Sequence, residues 1–299
     1  MTKILIVGGT GFVGYHLAKE TLKKGWKVYS ISTRKPIKAR RIGKVRYIIC
    51  DITNKKKLQK SINFHFDYVV NLGGYVNHTD YSKTIKSHYY GCKNLVDFFI
   101  NNPPNSFVQI GSSNEYGRAR SPQNEQIKCK PVSIYGKAKL LSTKYLIKMH
   151  KKKNFPSVVL RLYQAYGPRQ DTNRLIPQAI VSFLNNREFN STEGKQLRDF
   201  IHVDDVIQAI IKSLLTETSR GQIINIGSGK PRNIKSIIIK IFKFIKSGKI
   251  NFGKIKMRKD EILNMYPNIS RAKKLLKWSP KYSIISGLKE TIKSYGEKF

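Results

Sequence analysis

The residues with the clearest chemical use are Tyr135 and Lys139, in the segment Ser133-Ile134-Tyr135-Gly136-Lys137-Ala138-Lys139. Four positions apart on a predicted helix, they share one face. A phenol titrates near pH 10, so proton transfer by Tyr135 at neutral pH asks its surroundings for a drop of about 3 units, roughly 4 kcal/mol. The Lys139 ammonium is the candidate source of that drop. By itself, such a pair on a lysine-rich helix is more often plain surface. A third group changes the balance, because Gln109-Ile110-Gly111-Ser112-Ser113-Asn114-Glu115-Tyr116-Gly117 closes a strand candidate. A hydroxyl of Ser112 or Ser113 there would reach the substrate oxygen whose proton Tyr135 moves. Alone, either serine would read as a loop cap.

A second constellation opens the chain. Directly after the apolar run Ile4 to Val7 comes Gly8-Gly9-Thr10-Gly11-Phe12-Val13-Gly14, which leads into a helical pattern. Gly8 permits a tight turn, Gly11 lets a pyrophosphate approach the backbone, and Gly14 lets the helix pack close to the strand, so that N–H groups and the helix dipole face the anion. Glycines collect in turns for unrelated reasons, but the strand-to-helix position favours a dinucleotide site. A site for NAD usually carries a carboxylate at the end of the second strand. Here that strand ends Ser30-Ile31-Ser32-Thr33-Arg34-Lys35, without one. The expectation is NADP(H), with Arg34 clamping the extra phosphate and NAD(H) as the second choice. A solvated arginine in a basic loop is the plainer reading of Arg34.

These groups need a frame. Strand-length apolar runs (Lys3–Val7, Lys27–Ile31, Val45–Cys50, Tyr68–Leu72, Ser106–Ile110 and Ser157–Leu162) alternate with helical patterns near Val13–Lys24, Asn54–Ile62, Tyr81–Asn101 and Ile134–Lys152. That rhythm predicts an α/β fold with a doubly wound parallel Rossmann sheet, which brings ligands to the carboxyl ends of the strands. Pro103-Pro104 ends the third helix. After Gly167-Pro168 the rhythm loosens into a helix near Arg174–Asn186, a strand Gln196–Ile201, a helix Val203–Leu215 and a strand Ile223–Ile226. From Arg232 onward the chain reads as mainly helical, broken at Pro267 and Pro280. The expected division is a dinucleotide-binding part (1–165 and 197–228) and a smaller, mainly helical substrate-binding lobe (166–196 and 229–299).

Composition narrows the partners. With 57 Lys+Arg against 18 Asp+Glu, the formal charge of +39 would ordinarily raise nucleic-acid binding. The lysines are spread over nearly every segment, as at Lys55-Lys56-Lys57 and Lys151-Lys152-Lys153, so a generally basic surface is favoured over a nucleic-acid groove. Such a field would attract a diphosphate substrate. Cys50, Cys92 and Cys129 form no CxxC pair, so neither a disulfide framework nor a metal site is expected. The opening apolar run is too short for a signal sequence or a membrane span, which points to a cytoplasmic protein.

Taken together, these segments resemble an extended short-chain dehydrogenase/reductase of the NAD-dependent epimerase/dehydratase family acting on nucleotide-sugars. Further segments carry the likeness: Asp51-Ile52, Asn71-Leu72-Gly73-Gly74, Leu160 through Gly167-Pro168-Arg169, Arg198-Asp199-Phe200-Ile201-His202-Val203-Asp204-Asp205-Val206, Asn225-Ile226-Gly227-Ser228-Gly229 and Ser270 through Trp278-Ser279-Pro280. The resemblance implies Ser112, Tyr135 and Lys139 as the catalytic triad, with Ser112 favoured over Ser113. It implies Asp51 and Ile52 beside the adenine and Leu72, Gly73 and Gly74 beside the cofactor diphosphate. Toward the substrate it implies Ser113 and Asn114, with Gln164 at a phosphate and Arg198 and Arg258 on the nucleotide diphosphate. A homodimer through the helices Tyr81–Asn101 and Ile134–Lys152 is implied as well. His202 and Asp204-Asp205 look like a metal or acid/base cluster but read better as groups that cap and orient the next helix. Gln164 and His88 depart from the asparagines usual in the family.

The resemblance also sorts reactions. A 4,6-dehydratase should carry an acid and a base in the two positions after Ser112, and this chain has Ser113 and Asn114 there. Glu115, one place further, would point elsewhere. The remaining fit is an NADPH-dependent reductase of a 4-keto-6-deoxy nucleotide-sugar, with an NAD-dependent 4-epimerase second. A non-catalytic nucleic-acid-binding Rossmann protein is the reading from another class, and it has no need of all three triad residues.

Overall fold

The computed structural model describes residues 1–77, 79–258 and 261–296; Lys259 and Asp260, next to Arg258, lie outside them. The first half alternates β1 (Lys3–Val7), α1 (Phe12–Lys23), β2 (Lys27–Ser32), β3 (Arg46–Ile49), α2 (Lys55–Ser61), β4 (Tyr68–Asn71), α3 (Tyr81–Ile85), α4 (Gly91–Phe99), β5 (Ser106–Ser112), α5 (Ile134–Lys153) and β6 (Ser157–Leu162). The second half runs β7 (Gln164–Tyr166), α6 (Leu175–Leu184), β8 (Glu188–Asn190), β9 (Leu197–Arg198), β10 (Phe200–His202), α7 (Val203–Leu215), β11 (Ile223–Ile226), β12 (Arg232–Asn233), α8 (Ile234–Ile245), β13 (Lys249–Asn251), β14 (Asn264–Met265), α9 (Ser270–Leu276) and α10 (Ile284–Gly296).

Seven strands form one parallel sheet in the order β11-β6-β5-β4-β1-β2-β3. Its central strands are apolar at consecutive positions because both faces are covered. In β1, Ile4 and Ile6 join a cluster with Leu17 of α1 and Val206, Ile207 and Ile210 of α7, while Leu5 and Val7 join Leu95 and Val96 of α4 and Leu146 of α5. Strand order reverses between β1 and β4, which opens a crevice at their carboxyl ends.

A second core gathers Ile180 and Phe183 of α6, Ile237, Ile238 and Ile241 of α8, and Leu288 and Tyr295 of α10. Short strands stitch it together: β13 pairs with β8, and β9 pairs with both β12 and β14. The single strand expected over Gln196–Ile201 is therefore two, split at Asp199 and bonded to different partners, since β10 pairs with β7. Likewise the helix expected over Tyr81–Asn101 is interrupted by a π-helical turn at Lys86–Tyr90. A wider turn displaces the normal backbone ladder. Ser142 of α5 donates its hydroxyl to the His88 carbonyl at 2.9 Å, which satisfies an acceptor in that turn. Among the described residues no helix is long and apolar enough to cross a membrane.

Candidate active site

The glycine turn lies at the switch point and is constrained there. Gly8 has φ +78°, and a Cβ on it would meet the Gly73 amide nitrogen at 3.0 Å. A Cβ on Gly14 would sit 2.5 Å from the Gly8 carbonyl oxygen, so only glycine lets α1 start this close to the strand. Gly11 caps α1 without a side chain, and the first turn carries no acid. The helix thus presents bare N–H groups and its positive dipole end to the crevice.

A cleft of about 650 Å³ opens from this turn, and its walls include Gly8, Thr10, Gly11, Arg34, Asp51, Ile52, Leu72, Gly73 and Gly74. These are nine of the residues expected to hold a dinucleotide. Phe12 and Val13 instead pack against the sheet's hydrophobic cluster, and Gly14 serves the helix–strand contact. Ser32, Thr33, Tyr75, Lys83 and Lys86 also line the cleft; none was singled out by sequence, where they are ordinary loop and helix residues. The Ser32 hydroxyl is buried with no hydrogen-bond partner among the described residues, a polar atom suited to a ribose or phosphate oxygen. In size, bare helix terminus and donor set, the cleft fits a dinucleotide.

The groups expected to be catalytic lie next to His88, which borders Gly74. A Cβ on Gly136 would lie 2.4 Å from the Asn114 carbonyl oxygen, so this glycine lets the start of α5 press against the end of β5. That contact brings Tyr135 within hydrogen-bonding reach of Ser112. Ser112 is buried and also caps the following turn, its hydroxyl accepting from the Asn114 amide at 3.2 Å. Lys139 is buried below, donating to the Ile110 carbonyl at 2.7 Å, with its ammonium 5.9 Å from the centre of the Tyr135 ring. The His88 ring stands edge-on to the Tyr135 ring at 5.1 Å, donates its Nε2 proton to the Tyr75 carbonyl (3.1 Å) and fills the space beside Gly74. Its place in the wall between cleft and phenol gives the departure from asparagine a steric meaning.

Electrostatics correct one expectation. Burial pushes the Tyr135 phenol above its ordinary value; the hydrogen bond from Ser112 and the charge of Arg174 pull down but do not reverse it. The depression expected from Lys139 is not found, because that ammonium is turned toward the Ile110 carbonyl. Burial also draws Lys139 down to about 8 against the opposing pull of Glu115 and Cys92. The resting phenol therefore carries its proton. Arg174, at the start of α6, is a charge near the phenol that its sequence position gave no reason to select.

Beside Ser112, Ser113 is buried and Asn114 turns its amide to the Ser112 hydroxyl at 3.3 Å. Glu115 points away from the cleft, as expected. Its carboxylate accepts from the Ser112 amide (2.9 Å), the Thr143 hydroxyl (2.8 Å) and the Arg161 guanidinium (2.9 Å). Gln164 is exposed at the start of β7. Arg198 pairs with Glu261 and donates to the carbonyls of Leu197 and Leu263, while Arg258 is exposed and its carbonyl accepts from the Glu261 amide at 3.1 Å. His202 and Asp205 serve the α7 terminus: the His202 ring accepts from the Asp204 amide, and Asp205 accepts from the amides of Lys281 and Tyr282 at 2.8 and 3.0 Å.

A parallel sheet with a glycine turn at its switch point, facing a phenol and a buried lysine, is the build of an NAD-binding oxidoreductase. Residues 4–227 match the model of the NAD dependent epimerase/dehydratase family, and the chain belongs to that family. It is 29% identical to a CDP-abequose synthase of Salmonella muenchen, over 97% of each chain. The UDP-glucuronic acid 4-epimerase of Bacillus cereus, solved with UDP-glucuronic acid and NAD, superposes with a TM-score of 0.89 at 26% identity, over 100% of both chains. Epimerase Mth375 of Methanothermobacter thermautotrophicus shares the fold, with a TM-score of 0.93 at 20% identity over 99% of this chain and 93% of that one.

Proposed function

We propose that the protein reduces a 4-keto-6-deoxyhexose carried on a nucleotide diphosphate, with NADPH as the reductant. The observation that carries this reading is the set of groups beside Ser112. Ser113 and Asn114 occupy the positions where a dehydratase needs an acid and a base, and the nearest acid, Glu115, is buried and fully engaged. The cluster is thus equipped to move one proton at one sugar oxygen, without elimination. The likeness to a CDP-abequose synthase supports the same reading.

When bound, the reduced nicotinamide supplies the hydride that the ketone carbon accepts. The Ser112 hydroxyl would hold the ketone oxygen, and Tyr135 would give that oxygen its phenolic proton. A phenol held above its ordinary value suits an acid in this direction. The Ser112 hydrogen bond and the Arg174 charge would stabilise the resulting phenolate until solvent restores the proton, and Lys139 would share in this only by turning its ammonium from the Ile110 carbonyl. The cofactor would lie on the part formed by 1–165 and 197–228, and the sugar nucleotide against 166–196 and 229–299, with Gln164, Arg198 and Arg258 toward its phosphates. Arg34 on the cleft wall, with no carboxylate at the end of β2, favours the 2′-phosphate of NADPH. Replacing Arg34 with alanine should then cut the preference for NADPH over NADH by about 10-fold or more, since a hydrogen bond to a charged group contributes about 1.5–3 kcal/mol.

A second reading is an NAD-dependent 4-epimerase, favoured by the NAD-bound Bacillus cereus neighbour. Incubation of the purified protein with NADPH and a panel of nucleotide 4-keto-6-deoxy sugars separates the two. Oxidation of NADPH with one of them is the expected result; none with any, alongside epimerisation of a parent sugar, overturns the reductase in favour of the epimerase.

A further inference from the structure

Four cations are buried among the described residues: Lys139, Arg161, Arg198 and Arg40. Lys139 and Arg161 belong to the candidate catalytic corner, and Arg198 pairs with Glu261. Arg40 lies elsewhere, in the connection between β2 and β3 that also carries Arg34, and it is 6% exposed. A buried guanidinium is costly unless its donors are bonded. Here Nε and Nη2 both donate to the Arg169 carbonyl, at 3.1 and 2.6 Å, and Nη2 also reaches the Asp171 carboxylate at 2.8 Å.

The clasp is reciprocal. Arg169 donates its own guanidinium to the Ala39 carbonyl and lies over the Tyr15 ring, 5.1 Å from its centre. To do so it adopts φ +64°, a left-handed conformation that a non-glycine residue holds only under external constraint. The clasped loop leads to Arg174, whose amide donates to the Asp171 carbonyl at 3.1 Å and whose charge is felt at Tyr135. It is also fixed from behind by the Tyr295 hydroxyl of α10, which donates to the Gln170 carbonyl.

We propose that Arg40 is a positioning residue whose clasp with Arg169 and Asp171 couples the cofactor's ribose end of the cleft to its nucleotide-sugar end. The inference rests on the functional reading above. Ordering the Arg34 segment around a dinucleotide orders the 167–174 loop, and a nucleotide diphosphate bound on the far side returns the same coupling, as linkage requires.

The test measures dinucleotide dissociation constants by calorimetry with and without a saturating nucleoside diphosphate, taking the tightest binder among UDP, CDP and dTDP. Wild-type protein should bind the dinucleotide about 5-fold or more tighter in its presence, the lower end of ordinary coupling. In Arg40→Met that ratio should fall to about 1, and hydrogen exchange in the 36–41 segment should no longer respond to the nucleoside diphosphate. Asp171→Asn, at a carboxylate 57% exposed, removes only the ionic contact and should lower the ratio partway, which keeps the test available if Arg40→Met does not fold. A purely structural arginine would lower Tm and leave the ratio intact. An unchanged ratio in both variants, or a ratio of 1 in wild type, overturns the coupling. Wild-type protein that binds no dinucleotide at all overturns the functional reading, and the coupling with it.

Discussion

Arg161 and Glu115 are bonded at 2.9 Å with side chains 2% and 0% exposed, whereas Arg198 and Glu261 pair with side chains 10% and 24% exposed. Both are arginine–glutamate pairs, yet their surroundings give them different roles. Every contact of Glu115 is internal, and Arg161 lies flat over Tyr116, 4.4 Å from its ring centre. Burial pushes the Tyr116 phenol up to about 12, and its hydroxyl is held by Asn225 at 2.7 Å. This network fixes the end of β5, and so fixes Ser112. In the Arg198 pair the carboxylate is the more exposed partner, and in the proposed reading an incoming phosphate would replace it. Similar chemistry becomes a brace where water is excluded and an exchangeable latch where it is not.

The largest effect expected separates catalysis from the brace. Tyr135→Phe removes the proposed proton donor and leaves the Glu115 network untouched. Turnover should fall by about 10²–10⁴-fold, the usual range for losing a general acid or base, with an unchanged unfolding midpoint. Loss of activity accompanied by a large drop in that midpoint would make Tyr135 part of the brace and remove it from the chemistry. Next in size is the brace itself: Glu115→Gln leaves Arg161 buried and uncompensated, which should cost about 3–5 kcal/mol in denaturant unfolding. A cost under about 1 kcal/mol would mean that water reaches this pair after all.

Lys139 tests the same corner through pH. Its folded value of about 8 lies below its ordinary 10.5, so between those limits the unfolded chain binds more protons than the folded one. Stability should therefore rise from about pH 8 to about pH 10.5, the penalty of charging the buried amine being fully present below that window. Each unit of depression corresponds to about 1.4 kcal/mol. Lys139→Met should flatten that part of the profile, and a wild-type curve already flat there would show that the amine is solvated.

Much of this frame is legible in the sequence. Each of the six strand expectations of the first half overlaps an observed strand; those inside the sheet are buried on both faces and apolar at consecutive positions, while the edge strand β3 is half exposed. The glycine turn is legible too, since close approach excludes every side chain at Gly14. What the sequence hides depends on contacts made at a distance. Glu115 and Arg161 are 46 positions apart, and nothing local marks them as partners. The strands β8, β9, β12, β13 and β14 are two or three residues long and exist only through their pairing. The π-helical turn at Lys86–Tyr90 breaks no periodic pattern, and its widened turn is supported by Ser142 from another helix. The direction of the Tyr135 shift was missed because spacing places an ammonium on the same helix face without saying which way it is turned.

The smallest effect on stability belongs to the latch, and it makes the comparison sharpest. Glu261→Gln removes the charge that holds Arg198 but leaves the guanidinium its carbonyl partners, Leu197 at 2.9 Å and Leu263 at 3.2 Å. Arg198 is itself buried but keeps two carbonyl partners, so the loss should cost less than that at the Arg161 pair, about 1.5–3 kcal/mol in denaturant unfolding. Affinity for a nucleoside diphosphate should meanwhile increase, because the phosphate no longer competes with a carboxylate for the same fork of donors. The gain should shrink as salt is raised, since the carboxylate is partly exposed to screening. Weaker binding in this variant would show that Glu261 orients Arg198 for the phosphate instead of competing with it, and the latch would then be a second brace.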